Sequence, residues 1–236
     1  MGTVIMLGDR SDIAKELSAR FLRDGWEVAG WRRNGQLPMN RWDALVCALG
    51  VLEPIGRFFN TDPDDWERAV ESNALLPLRL LRRLWRFRNP GASVCFFSGA
   101  GVTRSAATYS AYSASKMLLF KMTELLDDEN ADAKFFILGP GMVRTKIQRQ
   151  TVLAGPDAAA NWERVMQFMA KGDDAHGEGT PHEKIYEVLR WCMEQPKEIV
   201  GGRNFYVPTD VLNNETAARL ALYPHMYKLR RHGGDL

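Results

Sequence analysis

The chain has 236 residues, 45% of them hydrophobic and 25% charged, which is ample for one large core without disulfide or metal staples. Lys and Arg number 31 against 29 Asp and Glu, and a net charge of +2 argues against a dedicated nucleic-acid binder, which is normally clearly basic. No apolar run approaches the roughly 18 residues of a membrane span, and residues 1–7 lead directly into strand-like sequence, so no signal peptide and no membrane partner are expected. The cysteines Cys47, Cys95 and Cys192 form no CxxC pair and read as buried reduced thiols, which predicts a cytoplasmic setting.

Apolar runs predict strands near 3–7, 26–31, 43–49, 92–97, 133–138 and 203–207. Helical periodicity predicts helices near 12–24, 62–88, 109–128, 157–171 and 181–194. Short apolar strands separated by helices are the pattern of βαβ units around a parallel sheet covered on both faces. The expected fold is therefore α/β, a three-layer Rossmann-type doubly wound parallel sheet of about six strands, in a single domain over 1–236. Asp62-Pro63-Asp64-Asp65 supplies an N-cap, a first-position proline and first-turn acids. Thr180-Pro181-His182-Glu183 reads as a capping box. The stretch 146–180 is irregular and carries Gly155, Gly172, Gly177 and Gly179, which predicts a substrate lid. The tail at 211–236 includes a basic run at 227–231, expected to fray or to cover a neighbour's site.

Gly8 follows the first strand directly, where a glycine lets the backbone turn tightly against a ligand. Arg10, Ser11, Asp12 and Ile13 then open a helix whose first N–H groups and positive dipole end suit a pyrophosphate. Asp12 and Ala14 stand where GxGxxG fingerprints carry their later glycines. The second strand ends in Arg32-Arg33, where NAD sites usually have an acid for the ribose 2′-hydroxyl. Guanidinium forks pair with a 2′-phosphate instead, so NADP(H) is favoured over NAD(H).

Ser98 follows the fourth strand, and Tyr112 and Lys116 share one helix face at i and i+4. An ammonium beside a phenol favours the phenolate and draws its pKa from about 10 toward working pH. A serine hydroxyl at the adjacent strand end is then placed to hold a carbonyl oxygen. Asn73 lies in an apolar helical stripe with Trp66, Val70, Leu76, Leu80 and Leu84. Pro77 at i+4 has no N–H, so the Asn73 carbonyl must bond elsewhere, for example to water.

These residues, with the strand 43–50 and Pro140-Gly141-Met142-Val143-Arg144-Thr145, resemble the short-chain dehydrogenase/reductase superfamily over about residues 3–145 and the final strand. The resemblance implies that Tyr112 is the acid/base, that Ser98 polarises the carbonyl, that Lys116 binds the nicotinamide ribose and that Asn73 anchors a relay water. It also implies cofactor contacts from Ala48, Leu49, Gly50, Pro140 and Gly141, with Val143 and Thr145 at the carboxamide. The family's Asn-Asn-Ala-Gly is here Cys47-Ala48-Leu49-Gly50, and Gly139 stands where an Asn precedes Pro-Gly. The interval from Arg33 to Asp43 has room only for a loop or a short edge strand, so the family's next helix and strand are expected to be missing. Family analogy implies a homodimer or homotetramer.

Competing motifs fail. Ser113-Ala114-Ser115-Lys116 fits SxxK, but SDN and KTG are absent. His182-Glu183-Lys184-Ile185-Tyr186 lacks the second His of HExxH, and His176, His225 and His232 have no ligand spacing, so no metal is expected. Arg79, Arg82, Arg83 and Arg86 read as a solvated face or a subunit contact, and Ala111, Ala114, Leu118, Met122 and Leu125 as mostly core. Arg144, Lys146 and Arg149 begin the lid, either meeting an anionic or sugar-phosphate-like substrate or standing solvated. The expected activity is NADP(H)-dependent reduction of a carbonyl in a small, polar or sugar-like molecule. A non-catalytic NADP(H) sensor is the alternative, and a sugar epimerase or dehydratase the lesser variant.

Overall fold

A computed structural model describes residues 2–171 and 179–230. Gly172, His176, Gly177, Arg231 and His232 lie outside the described residues. Six parallel strands form one sheet: β1 (Thr3–Leu7), β2 (Glu27–Trp31), β3 (Trp42–Cys47), β4 (Arg88–Phe97), β5 (Ala133–Gly139) and β6 (Asn204–Tyr206). Their order is β2-β1-β3-β4-β5-β6. The chain therefore reverses its direction of winding between β1 and β3, and such a switch opens a crevice at the carboxyl ends of the strands.

Alternate strand residues point to opposite faces, and two cores result. Val4, Met6, Val46 and Cys95 pack with α1 (Asp12–Arg23) and α7 (His182–Glu194) on one face. Ile5, Leu7, Leu45, Val94 and Phe96 pack with α3 (Leu76–Leu84) and α4 (Ser110–Glu129) on the other. Residues 32–41 hold no helix or strand, which leaves β2 as the sheet edge, as the short interval predicts.

Several local expectations are corrected. The helix expected over 62–88 is broken: α2 (Pro63–Val70) passes through a π-helical turn (Glu71–Leu75) into α3, then a 3-10 turn (Trp85–Phe87). Pro77 supplies no N–H, and the Leu76 N–H reaches back five residues to the Glu71 carbonyl. The Asp62 cap forms, its carboxylate accepting from Asp65 N at 2.9 Å. The capping box at 180 does not: Pro181 is the N-cap, Thr180 N donates to Met142 O, and Glu183 is drawn away to Arg20 Nε at 2.7 Å. The described part of the segment expected as a lid is regular, with α5 (Lys146–Ala154), a short turn, and α6 (Ala160–Ala170). In the α4 stripe only Ala111 is buried; Ala114 and Leu125 are exposed, and Leu118 and Met122 partly so. The buried face is instead the one carrying Tyr112, Lys116, Leu119, Phe120 and Thr123.

The tail neither frays nor reaches away within the described residues. After α8 (Lys197–Val200) and β6 it forms α9 (Asn214–Leu222) and folds back. The buried Arg203 guanidinium donates to the carbonyls of Leu220 (2.8 Å), Met226 (2.6 Å) and Tyr223 (3.1 Å), and Asn204 N donates to Tyr227 O. All three cysteines are buried free thiols.

Candidate active site

A cavity of about 1220 Å³ occupies the crevice at the carboxyl ends of the strands. Its floor is the β1–α1 turn. Gly8 has φ +84°, and a Cβ there would stand 3.1 Å from the Ala48 carbonyl carbon and oxygen, so only a glycine lets the two strand ends meet. Ser11 caps α1 by accepting from Ala14 N at 3.1 Å, which fixes the helix end toward the cavity. Arg10, Asp12 and Ile13 line the same wall. Asp12 does double duty, accepting from Lys146 N at 2.9 Å and so tying α1 to the lid. Arg32 and Arg33, exposed at the end of β2, reach the cavity rim, and Arg33 Nη2 donates to Ser72 Oγ at 2.9 Å. The tight glycine turn, the capped helix end and two guanidinium groups fit a phosphorylated dinucleotide.

The residues expected to carry the chemistry share another part of the wall. Ser98, Tyr112 and Lys116 are all buried residues of the cavity wall. The Tyr112 hydroxyl packs over Gly99, where any side chain would collide with it, so the phenol meets the strand end that carries Ser98. Ser98 Oγ donates to Asn204 Oδ1 at 3.2 Å. Lys116 Nζ donates to Leu49 O at 3.4 Å and stands 5.5 Å from the centre of the Tyr112 ring. Ala48, Leu49 and Gly50 after β3, and Pro140, Gly141, Val143 and Thr145 after β5, complete the wall.

The expectation that Lys116 lowers the Tyr112 pKa is not met in the protein alone. Burial pushes the phenol up to about 12, and burial also pushes the Lys116 ammonium down to about 8. Desolvation of the charged form is the cause in each case.

Asn73 is fully buried but does not line the cavity. Its amide exchanges two hydrogen bonds with Val51, the residue after Gly50. Arg144 turns from the cavity to the lid, donating to Phe168 O at 3.2 Å and to the carbonyls of Met169 and Lys171. Arg149 is exposed and off the cavity wall, while Lys146 lines it.

The sequence predicts a lid over 146–180 but not the contacts that hold it or the tail residues beside it. α5, in the expected lid, is docked on the rest of the wall: Gln150 Oε1 accepts from Leu52 N at 3.2 Å, and the Tyr109 and Thr151 hydroxyls meet at 2.7 Å. Asn161, Arg164, Asn204, Tyr206, Asp210 and the tail residues Tyr227, Lys228, Leu229 and Arg230 close the remaining sides. Among the described residues no group of His, Cys, Asp or Glu is arranged to hold a metal ion, and no helix is long and apolar enough to cross a membrane.

A family model described as enoyl-(acyl carrier protein) reductase matches residues 27–175, more than half of the chain. An uncharacterized oxidoreductase of Saccharomyces cerevisiae is 27% identical over 107 residues, covering 45% of this chain and 42% of that protein. The match thus spans less than half the length of this curated relative. The crystal structure of a short-chain dehydrogenase/reductase from Saccharomyces cerevisiae superposes with a TM-score of 0.73 at 18% identity, over 93% of this chain and 99% of that one. A small-chain dehydrogenase crystallised in complex with NADPH superposes with a TM-score of 0.71 at 16% identity, over 87% and 95%. Turn, sheet order and matched motifs agree, and the chain belongs to the short-chain dehydrogenase/reductase family of oxidoreductases.

Proposed function

We propose that the protein is an NADP(H)-dependent carbonyl reductase, reversible to alcohol oxidation, in which Tyr112 is the proton donor and acceptor. The observation that carries this is the meeting of Ser98, Tyr112 and Lys116 in one buried wall of the cavity whose floor is the Gly8 turn. A nicotinamide dinucleotide, when bound, supplies or accepts the hydride. Arg32, Arg33 and Arg10 are the groups for a 2′-phosphate, which favours NADP(H) over NAD(H). The NADPH in a structural relative supports this choice.

The chain's own groups handle the carbonyl oxygen. Tyr112 carries its proton at neutral pH as any phenol does, and its place in the wall aims that proton at a carbonyl oxygen in the cavity. Ser98 offers a second hydroxyl to the same oxygen as charge develops on it. Lys116 lies beside the cavity close to Gly50, where its ammonium is placed for ribose hydroxyls. Asn161, Tyr206, Asp210 and Lys228 give the cavity a polar rim that favours a hydroxylated substrate. The half-exposed outer face of α4, with Leu118, Met122 and Leu125, supports a homo-oligomer.

The test is NADPH oxidation across ketones, keto acids and keto sugars by the wild-type chain and Tyr112→Phe. Turnover should vanish in the variant while NADPH affinity, read by fluorescence titration, stays within a few-fold. Unchanged turnover would remove Tyr112 from its role. Cofactor binding without turnover of any compound in the panel would favour a sensor.

A further inference from the structure

We propose that Asn204 is a positioning residue for Ser98, its side-chain amide setting which way the serine hydroxyl sends its proton. This rests on the acid–base reading of Ser98 and Tyr112 above. Ser98 follows β4 and Asn204 opens β6, with β5 between them. The bond between their side chains must therefore pass over the end of β5, where the residue is Gly139. A Cβ at 139 would lie 3.0 Å from Ser98 Oγ, 3.1 Å from Tyr206 Cδ2 and 3.7 Å from Asn204 Oδ1. The glycine leaves the gap that the 3.2 Å hydrogen bond crosses. Asn204 is itself fixed, its N–H bonded to Tyr227 O at 2.8 Å and its strand paired to Ile137. Both Ser98 and Asn204 line the cavity.

A serine hydroxyl has one proton and two acceptor sites. While Ser98 donates to Oδ1, that proton is not available to a carbonyl oxygen in the cavity. Turned end for end in the same volume, the amide presents Nδ2, which donates to Ser98 Oγ and leaves the serine proton for the substrate. Negative charge growing on the carbonyl oxygen favours this second arrangement. One amide thus holds an idle and an engaged form of Ser98 without displacing a strand.

Asn204→Asp tests this, because a carboxylate of nearly the same shape only accepts while ionised. The assay is NADPH-dependent reduction of the carbonyl panel, with diacetyl as its smallest member, by wild type, Asn204→Asp, Asn204→Ala, Ser98→Ala and the double variant Ser98→Ala/Asn204→Ala. At pH 7 the Asp variant should lose kcat by roughly a hundredfold, the scale of a lost oxyanion donor, with KM for NADPH within twofold of wild type. Its kcat should recover as pH falls and the new carboxyl gains a proton to donate. Tyr112 and Lys116 of α4, Tyr206 and Asp210 at β6, and Tyr227 and Lys228 of the tail line the same cavity in every variant. An acidic recovery seen only in Asn204→Asp therefore belongs to residue 204. The double variant should be no slower than Ser98→Ala, because Asn204 acts through the serine.

A wild-type kcat and pH profile in Asn204→Asp overturns the proposal, as does a flat, equal loss in the Asp and Ala variants, which marks a structural role. If Asn204→Asp does not fold, the Ala series decides: a slowed Asn204→Ala together with a double variant equal to Ser98→Ala supports the proposal, and an unimpaired Asn204→Ala, or a double variant much slower than Ser98→Ala, overturns it. Absence of turnover across the panel, or full turnover by Tyr112→Phe, removes the acid–base reading and this proposal with it. That result is distinct from failure of Asn204 alone, in which Tyr112→Phe and Ser98→Ala are impaired and the residue 204 variants are not.

Discussion

The side-chain amide of Asn73 and the main chain of Val51 bond to each other twice: Nδ2 donates to the Val51 carbonyl at 2.8 Å, and Oδ1 accepts from the Val51 N–H at 2.7 Å. A fully buried side chain in the π-helical turn thereby holds the loop that leaves β3 beside Gly50. Asn73→Ala leaves both Val51 groups without that partner. It should cost about 1–3 kcal/mol of stability, read as a lowered midpoint in urea denaturation. It should also slow turnover, because Gly50 lines the cavity next to Lys116.

Burial gives stability a pH dependence of definite sign. Lys116 is pushed down to about 8 from an ordinary 10.5. Between those values the unfolded chain holds a proton that the folded chain has released, so stability rises with pH. Tyr112 is pushed up to about 12 from 10.0 and acts oppositely above pH 10, where the folded chain keeps the proton longer. The buried thiols Cys47, Cys95 and Cys192, all raised by burial, act as Tyr112 does but from about pH 9 upward. The test is therefore the difference between two proteins: from about pH 8 to pH 10 the slope of stability against pH in urea denaturation should be more negative in Lys116→Met than in wild type, and equal slopes would place the opposing titration elsewhere.

What the sequence made legible was local. Strand runs, the Gly8 turn and the one-turn spacing of Tyr112 and Lys116 are periodicities or short motifs, and the structure keeps their elements. The rest depended on contacts distant in sequence. Ser98 and Asn204 are 106 residues apart and meet only because β4, β5 and β6 lie side by side. The apolar stripe of α4 misled because a solvent-facing apolar stripe has the same period as a core face. Thr180 lost its capping role when Arg20 on α1 claimed Glu183. The phenol's pKa follows from burial, which no spacing reveals. Arg144, at the start of the expected lid, reads as meeting an anionic substrate or standing solvated, but in the structure it donates instead to Phe168 O.

Arg32 and Arg33 stand exposed at the rim, Arg33 steadied by Ser72. Arg32→Asp combined with Arg33→Ala replaces two cations with an acid that repels a 2′-phosphate and accepts from a 2′-hydroxyl. The ratio of kcat/KM for NADPH over NADH should fall by at least about tenfold, the scale of one charge-assisted bond lost. Measuring both cofactors at fixed carbonyl concentration checks it, and an unmoved ratio would assign the 2′ contact to other residues.

The tail that walls the cavity hangs on Glu124. Burial raises the pKa of this carboxyl, but hydrogen bonds and charge from Arg230 and Lys121 outweigh that and hold it at about 2 against an ordinary 4.5. Arg230 Nη2 donates to one carboxylate oxygen and Lys121 Nζ to the other. A depressed carboxyl contributes stability that is complete above its unfolded pKa and lost as pH falls through the folded one. Acidification from pH 5 toward pH 2 should therefore weaken the protein, and Glu124→Gln should flatten that slope. At neutral pH the same variant removes the anion that Arg230 meets, while the Arg203 bonds to Leu220, Tyr223 and Met226 remain. Amide exchange should accordingly quicken at 227–230 and not at 214–222. Quickening in both segments would make the tail and α9 one cooperative unit, and no change in either would show that Glu124 does not hold the strap.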